Sequence, residues 1–572
     1  MATLWSQALN GFNVAEIVDA GCTTSLNTDY GSLLTATTVD ATNNRAERAI
    51  SGTFTTGTEG RLFVMAKLPS TSSQVRFLDT YTSDFGTYLW QVYIQNTQLT
   101  LAVGATMRNA GASTVATALS PGLWNAMTIP IEVAWKEDDY VRLYVGGTLA
   151  ASFEGITSSA GAGAFAKIVF GIPDSQSSTA KTVKIGQGIL TDDADTALWT
   201  RNATPVLSHP TKYGMHQDLG YESSAGVRTV GYQALDYIDA TVSRHTLLWD
   251  RVEATDGAAY DWGLFDEIVD GVEQRGAEVL FMASSTPTWL NGGDDKYDIP
   301  GTGLDATFTT WVADFCTFIT AAVNRYKTGG TFGSNVRKWD IWNEPNLNSF
   351  WTPSGNSPDQ YAYLYDAVRD AIVAADPDAQ IGFGAFSTWL FIGDGMSGME
   401  FMGELLLRGA TFDRLSIHAY DSGDPTVNAD FDDNITDYGA TATTHHFPCH
   451  EYLELIGREV PMWLTEWGWS LAGVTEAVQG AYVADALDMI ETYWSTFTEV
   501  VTLFSDRDIG GTTHGVFDYT VGSQPEPRPA AEAFRSFMDQ GLGPRSTVDS
   551  ANSAVGRGAG ASAGSVANPR RS

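Results

Sequence analysis

Two glutamates stand at the ends of apolar segments that are rich in tryptophan. Glu344 lies in KWDIWNEPNLNSFW, residues 338–351, and Glu466 lies in VPMWLTEWGWS, residues 460–470. Carboxylates are rarely placed against so much aromatic surface without a partner or a task. A protonated carboxyl that faces an ionised one across a sugar-sized pocket can cleave a glycosidic bond, because one releases the leaving oxygen while the other attacks the anomeric carbon. We therefore expect Glu344 to be the acid, kept protonated by the neighbouring aromatic rings.

The elements that must hold these two residues form an alternation of strands and helices between residues 211 and 540. Eight strand-like segments are each followed by a helix-like one: YGMH, ATVSRHTLL, AEVLFMAS, VRKWDIWN, AQIGFGAF, FDRLSIHAY, VPMWLTEW and VVTLFSD. This order predicts a (β/α)8 TIM barrel, in which functional side chains lie where the strands end. Glu344 follows the fourth strand and Glu466 ends the seventh. Because these strands lie on opposite parts of the barrel wall, the two carboxylates can face each other across its mouth.

The sequence before the barrel predicts a different kind of domain. Residues 1–200 consist of short, partly alternating apolar segments separated by Gly, Ser, Thr and Asp, which is typical of an all-β jelly-roll sandwich. The segment LYVGGTLA, residues 143–150, predicts a hairpin with a Gly-Gly turn. Residues 201–210 read as a linker, and the Gly/Ser/Ala-rich residues 541–572 as a flexible tail. We therefore expect a multidomain chain in which the sandwich precedes a barrel over residues 211–540.

Composition and charge exclude several kinds of partner. The net charge is −35, from 68 acidic and 33 basic residues, and no basic stripe is visible, so we expect no nucleic-acid partner. The apolar runs are short, so we expect no membrane insertion. Three distant cysteines do not form a disulfide framework. The segment HHFPCH, residues 445–450, looks like a metal-ligand cluster, but the proposed chemistry needs no metal and no cofactor, so we expect neither. Calcium in the β domain is left open.

The segments around the two glutamates resemble the clan A retaining glycosidases. The surrounding sequence is similar to the family 39 branch of that clan, which includes xylosidases and iduronidases, over residues 211–540. The motifs that carry this resemblance are Asn343-Glu344-Pro345, Thr465-Glu466-Trp467, LLWDRVE (247–253), TPTW (286–289), SIHAY (416–420) and PRPA (527–530). The first third of the chain resembles concanavalin/laminin-G domains, on VRLYV (141–145) with its Gly-Gly turn and on VKIG (183–186).

The family resemblance implies a role for each matching residue. It makes Glu344 the acid/base and Glu466 the nucleophile of a retaining mechanism, with their carboxyl groups roughly 5–5.5 Å apart. It also implies that an Asn binds the sugar 2-hydroxyl, that an Arg on strand two supports the nucleophile, and that a His-x-Tyr on strand six donates hydrogen bonds near it. The matching residues are Asn343, Arg244, His418 and Tyr420. For Arg244 a purely structural salt bridge, and for His418 a place in the core, are the alternatives.

The sequence departs from the family pattern in the sugar pocket. The eighth strand offers Phe504 where the family has a Trp platform, and Ser284-Ser285-Thr286 stands where a His is common. Both departures concern the identity of the substrate more than the reaction. Trp289 and Trp467 are predicted to contact sugar, because tryptophan faces stack on sugar rings, with packing in the core as the alternative.

Two functions follow from these observations. The first is a retaining glycoside hydrolase that acts on a cell-surface or cell-wall polysaccharide, with the β domain as a sugar-binding or docking module. The second is a non-catalytic glycan-binding or host-attachment protein. The first residues lack the basic start and apolar stretch of a secretion signal, and Lys is scarce beside Arg. We therefore expect a phage tail protein, in the virion or outside the cell and in contact with other tail proteins, and a cytoplasmic location stays open. The sugar, its linkage, endo or exo action and the oligomeric state are left open.

Overall fold

A computed structural model describes most of the barrel and the better-defined strands before it. The described residues are 3–7, 22–25, 33–38, 44–49, 59–67, 75–81, 88–95, 98–104, 114–118, 128–136, 139–155, 167–172, 181–191, 197, 201–203, 205–207, 210–293, 295–353, 355, 357–387, 395–420, 423–425, 448–508 and 511–540. The predicted tail and His445 and His446 of the predicted cluster lie outside them.

Eight parallel strands close into a barrel in chain order, as the sequence predicts. They are β15 (Lys212–His216), β16 (Val242–Leu248), β17 (Glu278–Ser284), β18 (Lys338–Ile341), β19 (Gln380–Ser387), β20 (Leu415–Tyr420), β21 (Met462–Gly468) and β22 (Thr498–Phe504). The barrel closes where β22 pairs with β15. The strands are covered on both sides, and all seven residues of β16 are buried. This double burial explains why the strands are recognisable as nearly continuous apolar runs.

Helices follow the strands and form the outer layer of the barrel. Their bounds are α1 (Ala225–Ile238), α2 (Trp249–Val252), α3 (Gly263–Glu273), α4 (Thr288–Asn291), α5 (Ala306–Tyr326), α6 (Pro358–Ala375), α7 (Gly398–Leu407), α8 (Pro448–Ile456), α9 (Glu476–Met489) and α10 (Pro529–Met538). In five of these helices, the side chain of the N-cap residue accepts a hydrogen bond from a backbone N–H of the first turn. These residues are Ser224, Asp305, Ser357, Ser397 and Thr475. Such caps satisfy amides that the first helical turn leaves without a partner, and so they fix where each helix starts.

Helix α5 is also the one described helix whose length and composition would allow it to cross a membrane. Its buried side chains include Phe308, Trp311, Phe315 and Phe318, and these belong to the main hydrophobic core. The same apolar character is therefore accounted for by packing of the helix against the barrel.

The described strands before the barrel form two antiparallel sheets. The first has the order β12-β11-β10-β5-β14-β3-β2, with β1 paired to β14, and the second has the order β4-β13-β6-β7-β8-β9. The strands are β1 (Thr3–Gln7), β2 (Cys22–Ser25), β3 (Leu33–Thr38), β4 (Asn44–Ala49), β5 (Glu59–Lys67), β6 (Val75–Tyr81), β7 (Tyr88–Gln95), β8 (Gln98–Val103), β9 (Thr114–Ala118), β10 (Thr128–Lys136), β11 (Tyr140–Val145), β12 (Thr148–Glu154), β13 (Lys167–Ile172) and β14 (Lys181–Thr191).

The two sheets pack on each other through apolar side chains. Trp90 of the second sheet meets Trp135 of the first at a ring distance of 5.5 Å. The predicted hairpin is confirmed, since β11 and β12 pair across Gly146 and Gly147, both with positive φ (57° and 76°). A turn with two such residues requires glycine-like freedom and matches the twist of the strands. The jelly-roll topology, the likeness to lectin domains and the domain boundaries stay predictions.

Side-chain contacts join the first sheet to the barrel. Lys67 of β5 donates to Glu400 at 2.9 Å and to Glu404 at 3.2 Å, both on α7. Tyr452 of α8 donates its hydroxyl proton to the Thr128 carbonyl at 2.6 Å. The hairpin turn also lies against the end of α8, because Arg201 bonds both the Gly146 and the Glu454 carbonyls. The first sheet therefore contacts helices α7 and α8, which follow strands β19 and β20.

Candidate active site

A cleft of about 640 Å³ opens at the carboxyl ends of the barrel strands. Its lining includes Asn343, Glu344, Tyr420, Glu466 and Phe504, which come from four different strands or the turns after them. In (β/α)8 proteins this face is where functional side chains collect. The structure thus brings both predicted glutamates to one cleft.

Glu344 reaches the cleft through an unusual turn after β18. Trp342 and Glu344 have φ values of 67° and 40°, in the left-handed region that non-glycine residues rarely adopt. Backbone hydrogen bonds hold this turn, since Trp342 donates to the Ala283 carbonyl at 2.9 Å and Glu344 to that of Ala385 at 3.1 Å. Each such residue costs roughly 1–3 kcal/mol, and strained backbone of this kind concentrates at functional sites.

Glu466 reaches the cleft through a register shift in β21. Ile417 of β20 pairs with Leu464, but the next residue, His418, pairs with Glu466, so Thr465 is passed over. An inserted residue of this kind re-aims the side chains that follow it. Here it places Glu466 in the cleft and opposite His418.

The two carboxyl groups lie close together, with His418 between them. Ligand atoms of Glu344, His418 and Glu466 all lie within 4.8 Å of one another. His418 Nδ1 is 2.8 Å from Glu344 Oε1 and 3.5 Å from Glu466 Oε2. Burial lowers the pKa of His418 to about 3, so its ring is neutral near neutral pH. One oxygen of Glu344 thus lies within 4.8 Å of one oxygen of Glu466, which fits the roughly 5–5.5 Å between the carboxyl groups of a retaining pair better than the roughly 6.5–9.5 Å of an inverting one.

Arg244 and Tyr420 both donate hydrogen bonds to Glu466. Arg244 Nη1 is 2.6 Å from Oε1 and the Tyr420 hydroxyl is 2.6 Å from Oε2. Burial, together with the charge of Glu466, raises the pKa of Tyr420 well above its usual value, so the phenol keeps its proton and donates. Arg244 is fully buried below the cleft, where its Nη2 also lies 3.5 Å from Asn343 Oδ1. The structure therefore places Arg244 against the predicted nucleophile and away from the cleft surface.

Two residues at the carboxyl end of β15, the first barrel strand, belong to the same network, and sequence reasoning missed both. His216 Nδ1 accepts from Arg244 at 2.7 Å, and its Nε2 donates to Asp218 at 2.8 Å. Both residues line the cleft. His216 is the last residue of β15, so the rule that placed Glu344 and Glu466 could have found it.

Neither Trp289 nor Trp467 lines this cleft. The predicted sugar contact of Trp467 is corrected by the structure, because its side chain is fully buried, whereas that of the partly exposed Trp289 stays a prediction. Trp467 has 0% exposure, since neighbouring residues of a strand point to opposite sides and Glu466 already points inward. Trp289 packs edge-on against Trp249 at 6.1 Å and donates to the Glu253 carbonyl at 2.9 Å.

The tryptophans of the opening segment are likewise part of the core. Trp339, Trp342 and Trp351 all have 0% exposure. They form the protein interior beneath the turn, and Glu344 itself contacts His418 Nδ1 at 2.8 Å. The expectation that the aromatic rings keep Glu344 protonated stays a prediction.

Among the described residues, one group of side chains could hold a metal ion, and it consists of the two predicted catalytic glutamates and the histidine between them: Glu344, His418 and Glu466. Arg244 lies 2.6 Å from one oxygen of Glu466. The permanent positive charge of its guanidinium group would repel a metal ion bound to the same carboxylate. The donor set fits a carboxylate pair with a cationic support better than a metal centre. The prediction that the site works without a metal stays a prediction.

Comparison with known proteins agrees with this geometry. The family model of glycosyl hydrolases family 39 matches residues 232–537. A beta-xylosidase of Geobacillus stearothermophilus is 26% identical over 302 residues, which cover 49% of this chain and 56% of that protein. The chain thus matches just over half the length of this curated relative.

Solved structures of the same family are also similar to the chain. A GH39 beta-xylosidase from Caulobacter crescentus is 17% identical with a TM-score of 0.41, over 59% of this chain and 73% of that one. A family 39 glycoside hydrolase from Bacteroides cellulosilyticus WH2 is 16% identical with a TM-score of 0.43, over 87% and 80%. The family match alone spans more than half of the residues, as the sequence motifs predicted, and the chain belongs to glycosyl hydrolases family 39.

Proposed function

We propose that this protein is a retaining glycoside hydrolase that works by double displacement. The observation that carries the proposal is the approach of Glu344 and Glu466 to within 4.8 Å in one cleft, with different partners on each. Two carboxylates at this distance do not both ionise readily. Arg244 and Tyr420 donate to Glu466, so the negative charge belongs there and the proton belongs on Glu344.

In the first step Glu466 attacks the anomeric carbon of the bound sugar. The bond from that carbon to the leaving oxygen breaks, and Glu344 gives its proton to this oxygen. The neutral His418 accepts the hydrogen bond of the protonated Glu344, because burial keeps its ring uncharged. The product of the step is a covalent ester between the sugar and Glu466.

In the second step water attacks the anomeric carbon from the side that the leaving group has vacated. Glu344, now ionised, takes a proton from this water, and the ester bond to Glu466 breaks. The carboxylate of Glu466 is released onto Arg244 and Tyr420, which already donate to it and need no reorganisation. Two inversions at one carbon leave the configuration of the sugar unchanged.

Release of reducing ends from glycans tests this proposal. Wild type and Glu466→Gln are incubated with a panel of nitrophenyl glycosides and bacterial cell-wall polysaccharides. We expect release by wild type and none by the variant, while glycan binding measured by calorimetry is retained. If neither protein releases product while both bind glycan, the chain is the binding protein of the alternative proposal.

The finer proposal is that the substrate is a cell-surface or cell-wall polysaccharide and that the protein acts in a phage tail or outside the cell. The two antiparallel sheets support it, because a β module joined to the barrel by Lys67 and Tyr452 can hold the cleft near a surface glycan. Mass spectrometry of purified virions, compared with culture medium and cytosol, tests the location. Detection in the cytosol alone contradicts it.

A further inference from the structure

The cleft lining includes an ionised carboxylate that the proposed reaction does not use. Asp218 Oδ1 accepts two hydrogen bonds, from His216 Nε2 and Thr246 Oγ1, each at 2.8 Å. No described residue donates to Oδ2, although Asp218 lines the cleft. Burial favours the neutral acid, but the attraction and hydrogen bond of His216, together with the bond from Thr246, outweigh it and hold the pKa of Asp218 well below its usual range. The free oxygen is therefore a strong acceptor open to a ligand.

An ammonium group lines the same cleft. Lys296 Nζ lies 3.8 Å from the centre of the Tyr221 ring and 5.1 Å from that of Tyr297. The hydroxyls of the two tyrosines are 3.0 Å apart and lock the rings together. Within the part of the chain that the structure describes, Lys296 forms no ion pair, so its N–H donors are held over aromatic faces and are available to the cleft.

We propose that Asp218 and Lys296 form a hydroxyl-binding subsite, in which the carboxylate accepts from one sugar hydroxyl and the ammonium donates to its neighbour. The inference rests on the proposed function and deepens it. A polar site that pairs an acceptor with a donor selects ligands that carry matching hydroxyls, because a ligand without them leaves buried groups unpaired.

The same geometry selects a neutral sugar. Among the charged groups of the cleft lining, Glu344 holds a proton in the proposed mechanism and Glu466 is paired with Arg244, which leaves the carboxylate of Asp218 and the ammonium of Lys296 to meet the sugar. An acidic group on a sugar bound beside Asp218 would face the free oxygen of this carboxylate and be repelled. The glycone is therefore an uncharged sugar that carries two adjacent hydroxyls.

A cycle that combines protein variants with deoxy substrates tests the subsite. The nitrophenyl glycoside that wild type cleaves best is compared with its 3-deoxy and 4-deoxy analogues, using wild type, Asp218→Asn and Lys296→Met. We expect each variant to lower kcat/KM by about 10- to 100-fold on the parent glycoside. On the analogue that lacks the bonded hydroxyl, the same variant should lose less than about threefold further.

This dependence on one hydroxyl separates recognition from a structural role, which would slow every substrate alike. Asp256→Asn, at an exposed turn, is the matched control and should behave as wild type. Equal losses on the parent and on both analogues would overturn the subsite. Faster cleavage of nitrophenyl uronides than of neutral glycosides would overturn the neutral sugar and show that Lys296 selects an anion.

If wild type cleaves no glycoside, the proposed function fails and the subsite is tested by binding. Neutral oligosaccharides, titrated by calorimetry into wild type and Asp218→Asn, should bind at least tenfold more weakly to the variant. Equal affinity, or no binding to either protein, would overturn the inference.

Discussion

Asp340→Asn tests whether a buried carboxylate beneath the site supports Arg244. Asp340 lies four residues before Glu344 and is fully buried. Its Oδ2 lies 3.4 Å from Arg244 Nε and accepts from the Ser416 hydroxyl at 3.1 Å. No described residue donates a hydrogen bond to its Oδ1. The backbone of Gly382 packs so closely against this oxygen that a Cβ atom on residue 382 would lie only 2.0 Å from it. Burial raises the pKa of Asp340 to about 6, although Arg244 and Ser416 oppose the shift.

The magnitude follows from this shift. The pKa rises from 3.8 to about 6 on folding. Ionising the group in the folded protein therefore costs about 3 kcal/mol more than in the unfolded chain. Because the folded state holds the proton more tightly, the contribution to stability is present below the unfolded pKa and is lost as the pH rises through about 6. Between pH 5 and pH 7 this loss is about 1 kcal/mol, and asparagine cannot undergo it.

Urea unfolding at pH 5 and pH 7 measures the effect. Between pH 5 and pH 7, we expect the unfolding free energy of Asp340→Asn to fall by about 1 kcal/mol less than that of wild type. The exposed Asp256→Asn is the control and should keep the wild-type pH dependence. We also expect kcat/KM to fall about tenfold, because Arg244 loses an ionic partner that helps hold it on Glu466. An unchanged pH dependence of stability together with unchanged kcat/KM would refute the reasoning.

Three further predictions concern the same network. Glu344→Gln should lower kcat/KM by about 10²- to 10⁴-fold on a methyl glycoside but far less on a dinitrophenyl glycoside, which needs no protonation to leave; equal losses would contradict its role as the acid. Tyr420→Phe should lower kcat/KM by about 10- to 100-fold with an unchanged circular dichroism spectrum, since it removes a 2.6 Å hydrogen bond to Glu466; full activity would contradict that. Burial lowers the pKa of His245 to about 3, so its contribution to stability is lost as the pH falls from about 6.5 toward 3. In urea unfolding, His245→Gln should therefore lose about 2 kcal/mol less than wild type between pH 7 and pH 5, and an equal loss would contradict it.

The barrel could be predicted from the sequence because local patterns and the final fold agree. Strands such as β16 are buried on both sides, which gives the unbroken apolar runs that were recognised. The rule that functional residues follow strands then located Glu344 and Glu466, and the family motifs added Arg244, His418 and Tyr420. All five meet in one network in the structure.

The misses have two physical causes. Trp467 is adjacent to Glu466 in the sequence, but alternation along a strand sends the two side chains to opposite sides. Lys296 and Tyr297 lie in the long connection after β17, whose course depends on contacts such as the hydrogen bond from the Thr286 amide to the Lys296 carbonyl at 2.7 Å. Loop positions of this kind carry no periodic signal that a sequence pattern could reveal.

The central claim is that Glu344 and Glu466 act as a retaining pair, and the anomeric configuration of the first product tests it most directly. The glycoside that wild type cleaves best is hydrolysed in an NMR tube, and proton spectra are recorded before the released sugar mutarotates. The short separation of the two carboxyl groups predicts that the first anomer has the configuration of the substrate. Initial appearance of the opposite anomer would contradict the account.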